Sequence, residues 1–395
     1  MNPRKNPYTP GAGSQPPELA GREDVIEKAC IALDRTIAGK QARGIVLYGL
    51  RGVGKTVLLR KLVAEAEERN FITIYLEAPE DRSLPAALCP QLRAGLYKLK
   101  RGEEVKKHLL GAFRALKSFS EALKIKYGDI ELSLDFDREE GIADSGNLES
   151  DLGDLLSAVA EGAREKDCGV LIAIDELQYI NSKELEALIA AMHRVGQKNL
   201  PILLFAAGLP QLLGHMGQAK SYVERLLEFT PIGKLDQTAA ESALIKPALE
   251  AEASYTPEAL ALIFQKTEGY PYYLQEWGKH SWNLAESSPI TADDACRATE
   301  AALAELDASF FRVRFDRLKP SEKKYLRAMA ELGPGPHRSG DVAEQYGKSI
   351  TTVAPIRSSL IAKGMVYSIS HGETAFTVPL FEAYMKRVFP SFSTE

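Results

Sequence analysis

The chain has 395 residues, of which 45% are hydrophobic and 26% charged, with a net charge of −5. That balance excludes a globally disordered or fibrous chain, and the length suggests two to four domains of about 100–200 residues each. Net acidity argues against a protein that coats nucleic acid throughout. Yet residues Ser309–Glu395 hold 13 Lys and Arg against 8 Asp and Glu, leaving 36 against 46 elsewhere, so an acidic body carries a basic end.

Residues 1–17 are rich in Pro and Gly and have no apolar core, which reads as a flexible arm and not as a signal peptide. Apolar residues recur with helical period over Val25–Ile37, and Gly44–Tyr48 is a short β-branched run of the kind that forms a buried strand. A helix is predicted over Thr56–Asn70, a second strand over Phe71–Leu76 and helices over Leu84–Leu123. Ile125–Phe136 alternates apolar and polar residues like a solvated hairpin. The acidic stretch Asp137–Asp151 follows, so about 124–151 reads as an insertion. Further strands are predicted over Val170–Ile174, Ile202–Ala206 and, more weakly, Leu227–Ile232. Strands alternating with helices predict an α/β fold with a parallel sheet between helical layers.

Leu235–Asp307 is helical in pattern throughout. Beyond Pro320 come three short helical stretches, Ser321–Leu332 (Ser321 as N-cap), Ser339–Tyr346 and Thr351–Lys363. A hairpin follows, Met365–Ile369 and Thr374–Val378. The longest uncharged apolar stretch, Leu200–Leu213, contains two prolines and falls short of the ~20 residues a membrane span needs. The four cysteines, Cys30, Cys89, Cys168 and Cys296, form no CxxC pair; free thiols fit a reducing cytoplasm.

Two motifs carry chemistry. Gly49-Leu50-Arg51-Gly52-Val53-Gly54-Lys55-Thr56 has the form G-x-x-x-x-G-K-[ST], follows a predicted strand and opens a predicted helix. Glycines let the backbone close on phosphate, and the N–H groups and helix N-terminus face the anion. The binding segment is taken as Gly49–Val57. Lys55 would reach the β- and γ-phosphates of ATP, and Thr56 would place its hydroxyl on Mg²⁺. The second motif is the strand Val170–Ile174 running into Asp175 and Glu176. Asp175 would hold Mg²⁺, and Glu176 would orient or activate the attacking water. Two adjacent carboxylates also suit the start of a helix, and that reading stands for the pair taken alone.

Strand, loop, helix, acidic strand end and all-helical segment together resemble the AAA+ and STAND branches of P-loop ATPases, over roughly residues 18–308. The resemblance implies a sheet ordered 5-1-4-3-2 and a helical lid at 235–308 over the nucleotide, after an ATPase core at 18–234. It also implies that Gly21 and Arg22, within Leu19-Ala20-Gly21-Arg22-Glu23, approach adenine, as does Pro271 within Gly269-Tyr270-Pro271. The lid shows Tyr272, Tyr273 and Gln275 where a sensor arginine is usual. The strand end Ala206-Ala207-Gly208 lacks the usual polar residue, a role Gln178 could take. Arg225, in Glu224-Arg225-Leu226, lies where initiator-type relatives place an arginine finger; a surface pair with glutamate fits equally well.

Residues 309–395 resemble a winged helix-turn-helix. That implies contact with double-stranded DNA through Thr351, Thr352, Arg357, Ser358, Ser359 and Lys363. The cluster Arg312, Arg314, Arg317, Lys319, Lys323 and Lys324 would then face phosphates, or simply form a solvated helix face. The expected protein is a cytoplasmic ATPase, slow in turnover and with a second copy of itself among its candidate partners, in which nucleotide state controls a DNA-binding module. The alternative is an ATP-controlled signalling switch whose winged helix docks protein.

Overall fold

In the computed structural model, residues 1–11, 16, 18–78, 83–100, 107–123, 141–369 and 372–390 are described. The alternating segment Ile125–Phe136 lies outside them. Two compact units divide the chain: one comprises 22–48 and 55–231, the other 1–21, 49–54 and 232–395.

The first unit is built on a parallel sheet of β1 (Gly44–Tyr48), β2 (Phe71–Glu77), β3 (Gly169–Asp175), β4 (Ile202–Gly208) and β5 (Leu227–Pro231), ordered β2-β3-β4-β1-β5. This is the expected order read from the other edge. Every residue of β3 and β4 is buried, as unbroken aliphatic runs require when helices cover both sheet faces. The edge strands β2 and β5 alternate buried and partly exposed positions. Register aligns Tyr48 with Gly208 and Glu77 with Asp175, so the residues after these strands emerge at one end of the sheet, where open α/β folds bind ligands.

One boundary differs from expectation. The helix Leu148–Arg164 begins inside the stretch read as insertion. Asp151 is fully buried in its first turn and accepts N–H bonds from Ser145 and Gly146, at 2.9 Å each, and the Ser145 hydroxyl at 2.7 Å. Acidity there belongs to a capped helix start.

In the second unit, the helices Gln237–Glu250, Pro257–Thr267, Pro271–Leu284 and Ala292–Leu306 pack around Tyr270, Tyr273, Leu274 and Trp277. Each start is signalled locally: Asp236 and Thr256 cap theirs, Pro271 occupies a first turn, and Thr291 with Asp294 forms a capping box. The amino-terminal residues, expected to be a flexible arm, are fastened onto these helices. Tyr8 is 3% exposed, and its hydroxyl donates to the Leu244 carbonyl at 2.6 Å. Trp282 Nε1 donates to the Asn2 carbonyl at 2.9 Å. A single buried aromatic outweighs the Pro/Gly composition around it.

The C-terminal residues form helices Pro320–Glu331, Ser339–Tyr346, Ile350–Ala362 and Phe381–Val388. Beside them is a small sheet of β6 (His337–Arg338), β7 (Val366–Tyr367) and β8 (Glu373–Phe376), ordered β6-β8-β7. The first of these helices begins one residue earlier than expected, with Lys319 and not Ser321 as its cap. β6 is too short to leave a sequence pattern. Among the described residues no helix is long and apolar enough to cross a membrane.

Candidate functional site

β1 leads into the loop Gly49–Gly54, and the helix Lys55–Glu68 starts directly after it. Gly52 and Gly54 adopt positive φ of 82° and 90°, a backbone that side-chain-bearing residues rarely take. A Cβ at Gly52 would also stand 3.0 Å from Tyr270 Cε1. The loop backbone is bonded by residues far along the chain. The Tyr270 hydroxyl donates to the Arg51 carbonyl, Tyr272 N–H to the Gly52 carbonyl at 3.2 Å, and Arg51 N–H to the Thr377 carbonyl at 3.2 Å. Nothing in the sequence marks Thr377 for this contact, because a backbone carbonyl has no residue-type signal.

Within the sheet unit, Lys55 and Thr56 open the helix, and Lys55 is 7% exposed. Asp175 ends β3 at 4% exposure. The Thr56 hydroxyl donates to its carboxylate, the Tyr75 hydroxyl lies 3.4 Å from Oδ2, and Glu176 N–H donates to Oδ1 at 2.9 Å. Burial pushes the Asp175 carboxyl above its ordinary value, against the Thr56 and Glu176 hydrogen bonds; Glu176 adds to the rise and Lys55 opposes it. A buried carboxylate beside a hydroxyl is an oxygen-only donor pair. It suits a hard divalent cation such as Mg²⁺, which once bound would neutralise phosphate charge. The two motifs therefore meet at Thr56 and Asp175. Tyr75 escaped the sequence reading because it sits mid-strand with no motif around it.

Glu176 turns out of β3 at φ 51°, ψ 40°, in the left-handed region, and precedes the 3-10 turn Leu177–Tyr179. A non-glycine residue there costs about 1–3 kcal/mol and persists only where its surroundings hold it. Gln178 does so in part, since its Nε2 donates to Glu176 Oε2. Arg225 is exposed in the short helix Val223–Leu226 just before β5, and makes no side-chain ion pair among the described residues. Gly21, at φ 68°, comes so close to the helix Gln237–Glu250 that a Cβ would stand 2.9 Å from Ala239 Cβ. Arg22 caps the helix Glu23–Ile37, and burial pulls its guanidinium below its ordinary value against the pull of Glu23. Val57 follows Thr56 in the first turn of its helix, half-buried. Pro271 opens the helix whose second residue, Tyr272, bonds Gly52.

The proposed DNA-contacting residues fare differently. Thr351, Thr352 and Ser358 are exposed on the helix Ile350–Ala362, though both threonine hydroxyls lie 2.9 Å from the capping Ser349 hydroxyl. Arg357 is half-buried and turned toward the hairpin. Its guanidinium donates to the Thr374 hydroxyl at 2.6 Å, the Ser368 hydroxyl at 2.9 Å and the Glu373 carbonyl at 3.2 Å, tying helix to hairpin. Lys363 and Ser359 are likewise engaged by buried Glu322, at 2.7 and 2.8 Å. Burial raises the Glu322 carboxyl, but Lys363, the Lys319 N–H and Ser359 together outweigh it and leave it below its ordinary value. Three members of the basic cluster also have side-chain partners. Arg312 pairs with Asp316, Lys323 stands 4.0 Å from the Phe315 ring centroid, and Arg314 lies 3.9 Å from that of Phe310.

Glu276, His280 and Glu305 converge closely enough to suggest a cation site. The Lys279 ammonium, 2.7 Å from Glu305 and 3.3 Å from Glu276, already supplies the positive charge.

Residues 18–205 match the family model described as the AAA ATPase domain. The chain contains a P-loop ATPase domain of the AAA+ type. Residues 308–385, beyond that AAA+ domain, match a second model, described as a domain of unknown function (DUF8462). No curated protein matches the chain. Among solved structures, the Walker-type ATPase PABY2304 of Pyrococcus abyssi is similar at 15% identity, with a TM-score of 0.59, over 93% of this chain and 96% of that one. At that identity the likeness concerns the fold. Orc1 of Aeropyrum pernix, in complex with DNA, aligns at 16% identity and TM-score 0.48, over 97% and 96% of the two chains. The RuvB Holliday junction branch migration motor of Thermotoga maritima aligns at 15% and 0.47, over 92% and 96%.

Proposed function

We propose that this AAA+ ATPase is a slow nucleotide-controlled switch whose output is its C-terminal helix-turn-helix and hairpin. In this reading Gly49–Val57 seats ATP, with Lys55 at the β- and γ-phosphates. Thr56 and Asp175 hold Mg²⁺, and Glu176 orients or activates water. Gly21, Arg22 and Pro271 lie toward adenine, and Arg225 acts on the nucleotide of a second copy. One observation carries the coupling: the loop's own backbone bonds Thr377 of the C-terminal residues and Tyr270 and Tyr272 of the helical segment. A triphosphate that engages the loop amides shifts the same backbone that holds Thr377. The end of β4 has no polar side chain and the lid helix no arginine at its start, which favours slow turnover.

The energetics suit a switch. Ligand at 1,000 times its Kd stabilises the bound state by about 4 kcal/mol, whereas a full reversal of a two-state equilibrium needs about 5.5. A partner supplies the remainder. Hydrogen exchange tests the coupling: ATP with Mg²⁺ is expected to change amide protection around residues 364–378, and Lys55→Ala to abolish that change together with ATP binding. Equal protection with and without ATP in the native protein would remove the coupling.

For the partner, the engagement of Arg357 by the hairpin and of the Lys363 ammonium by Glu322 favours protein docking over double-stranded DNA. The helix Ile350–Ala362 then presents mainly uncharged residues, including Ile350 at 54% exposure. A titration of duplex binding against salt decides. Counterion release makes DNA affinity fall steeply with salt; the expected result is weak binding at low salt, with or without ATP. Tight, steeply salt-dependent binding would restore the DNA reading.

A further inference from the structure

Gln178 is 9% exposed, and both ends of its carboxamide are committed. Oε1 accepts the Leu209 N–H at 3.0 Å, just past the end of β4, and Nε2 donates to Glu176 Oε2. The orientation is dictated: Leu209 N–H needs an oxygen opposite it, which leaves the amide nitrogen facing the carboxylate. Gly208 makes room, since a Cβ there would stand 2.8 Å from Gln178 Oε1. β4 ends in Ala206-Ala207-Gly208 and offers no polar side chain of its own. Glu176 sits on left-handed backbone, so its carboxylate depends on neighbours for its direction.

We infer that Gln178 is a positioning residue for ATP hydrolysis: it fixes the Glu176 carboxylate against the end of β4, in place of the polar side chain that strand lacks. The inference rests on the reading of Glu176 as the group that orients or activates water. A hydrogen bond from the amide to the carboxylate holds it aimed. The bond to Leu209 in turn makes that aim sensitive to any movement of the β4 end.

Gln178→Glu separates positioning from mere scaffolding. It is isosteric and keeps an acceptor for Leu209 N–H, but replaces the donor to Glu176 with a second carboxylate. The expected result is a kcat lower by about tenfold or more with KM for ATP unchanged. Gly208→Ala, which displaces the carboxamide, should lower kcat in the same way while ATP binding persists; it decides the matter if Gln178→Glu melts below the assay temperature. Native kcat in Gln178→Glu, or a raised KM at unchanged kcat, would overturn the inference. The underlying reading fails separately: turnover surviving in Glu176→Gln removes the role of Glu176. Turnover lost in Glu176→Gln but intact in Gln178→Glu removes only that of Gln178.

Discussion

Glu176→Gln is expected to bind ATP and Mg²⁺ as the native protein does and to turn ATP over about 10²–10⁴-fold more slowly, the usual contribution of a positioned general base. The substitution is isosteric, so the left-handed turn at residue 176 keeps its shape, and only the ability to take a proton disappears. Asp175, whose Oδ1 accepts the Glu176 N–H, keeps that bond because it comes from the backbone. The contrast between binding and turnover is therefore the diagnostic, read from nucleotide titration beside a single-turnover assay. Unchanged turnover would reassign the water-activating role; lost binding would make Glu176 part of the nucleotide seat.

Asp175→Asn should have two opposite effects. Burial holds the native carboxyl above its ordinary value near 3.8. A raised folded-state value means that its contribution to stability is fully present below the unfolded value and is lost as pH rises through the folded one. At neutral pH the ionised carboxylate thus costs the metal-free fold, and the amide relieves that cost. The variant should melt higher than the native protein without metal, by about 2–4 °C for each kcal/mol recovered in a unit of this size. The gap should open as pH rises above the ordinary aspartate range. The same change removes the anionic oxygen beside Thr56, so the Mg²⁺-dependent gain in ATP affinity should fall by at least about 10–100-fold, the loss known even for outer-shell partners of metal ligands. Thermal melts with and without Mg²⁺ and ATP, from pH 4 to 8, measure both. A lower metal-free melting point with an intact Mg²⁺ effect would contradict both halves.

Sequence reading succeeded where the signal is local and one-dimensional. β3 and β4 are unbroken aliphatic runs because both faces are buried, so length and composition alone announce them. The loop Gly49–Thr56 is legible because phosphate demands glycine and lysine at set intervals along the chain. Asp175 and Glu176 are legible because they interrupt a hydrophobic run. The reading weakened where one residue outweighs its surroundings: Tyr8 anchors a segment that composition describes as loose.

In the C-terminal residues it leaves side-chain direction open for a related reason. Arg357 and Lys363 are basic residues on a helix expected to contact DNA, and nothing in a linear pattern says whether a guanidinium points to solvent or back to Thr374 and Ser368. Long cationic side chains choose among partners several ångströms apart, and only the fold places those partners.

Residue types at fixed intervals determined by themselves that this chain has a parallel α/β core with a phosphate loop and an acidic strand end, because backbone geometry and anion chemistry leave few alternatives at those positions. The tertiary structure decided what touches the loop and the two carboxylates after it: the Thr377 carbonyl on Arg51, the Tyr75 hydroxyl near Asp175, and the Gln178 amide between Glu176 and Leu209. The first of these runs through main-chain atoms that every residue shares, so no choice of side chain along the sequence could announce it.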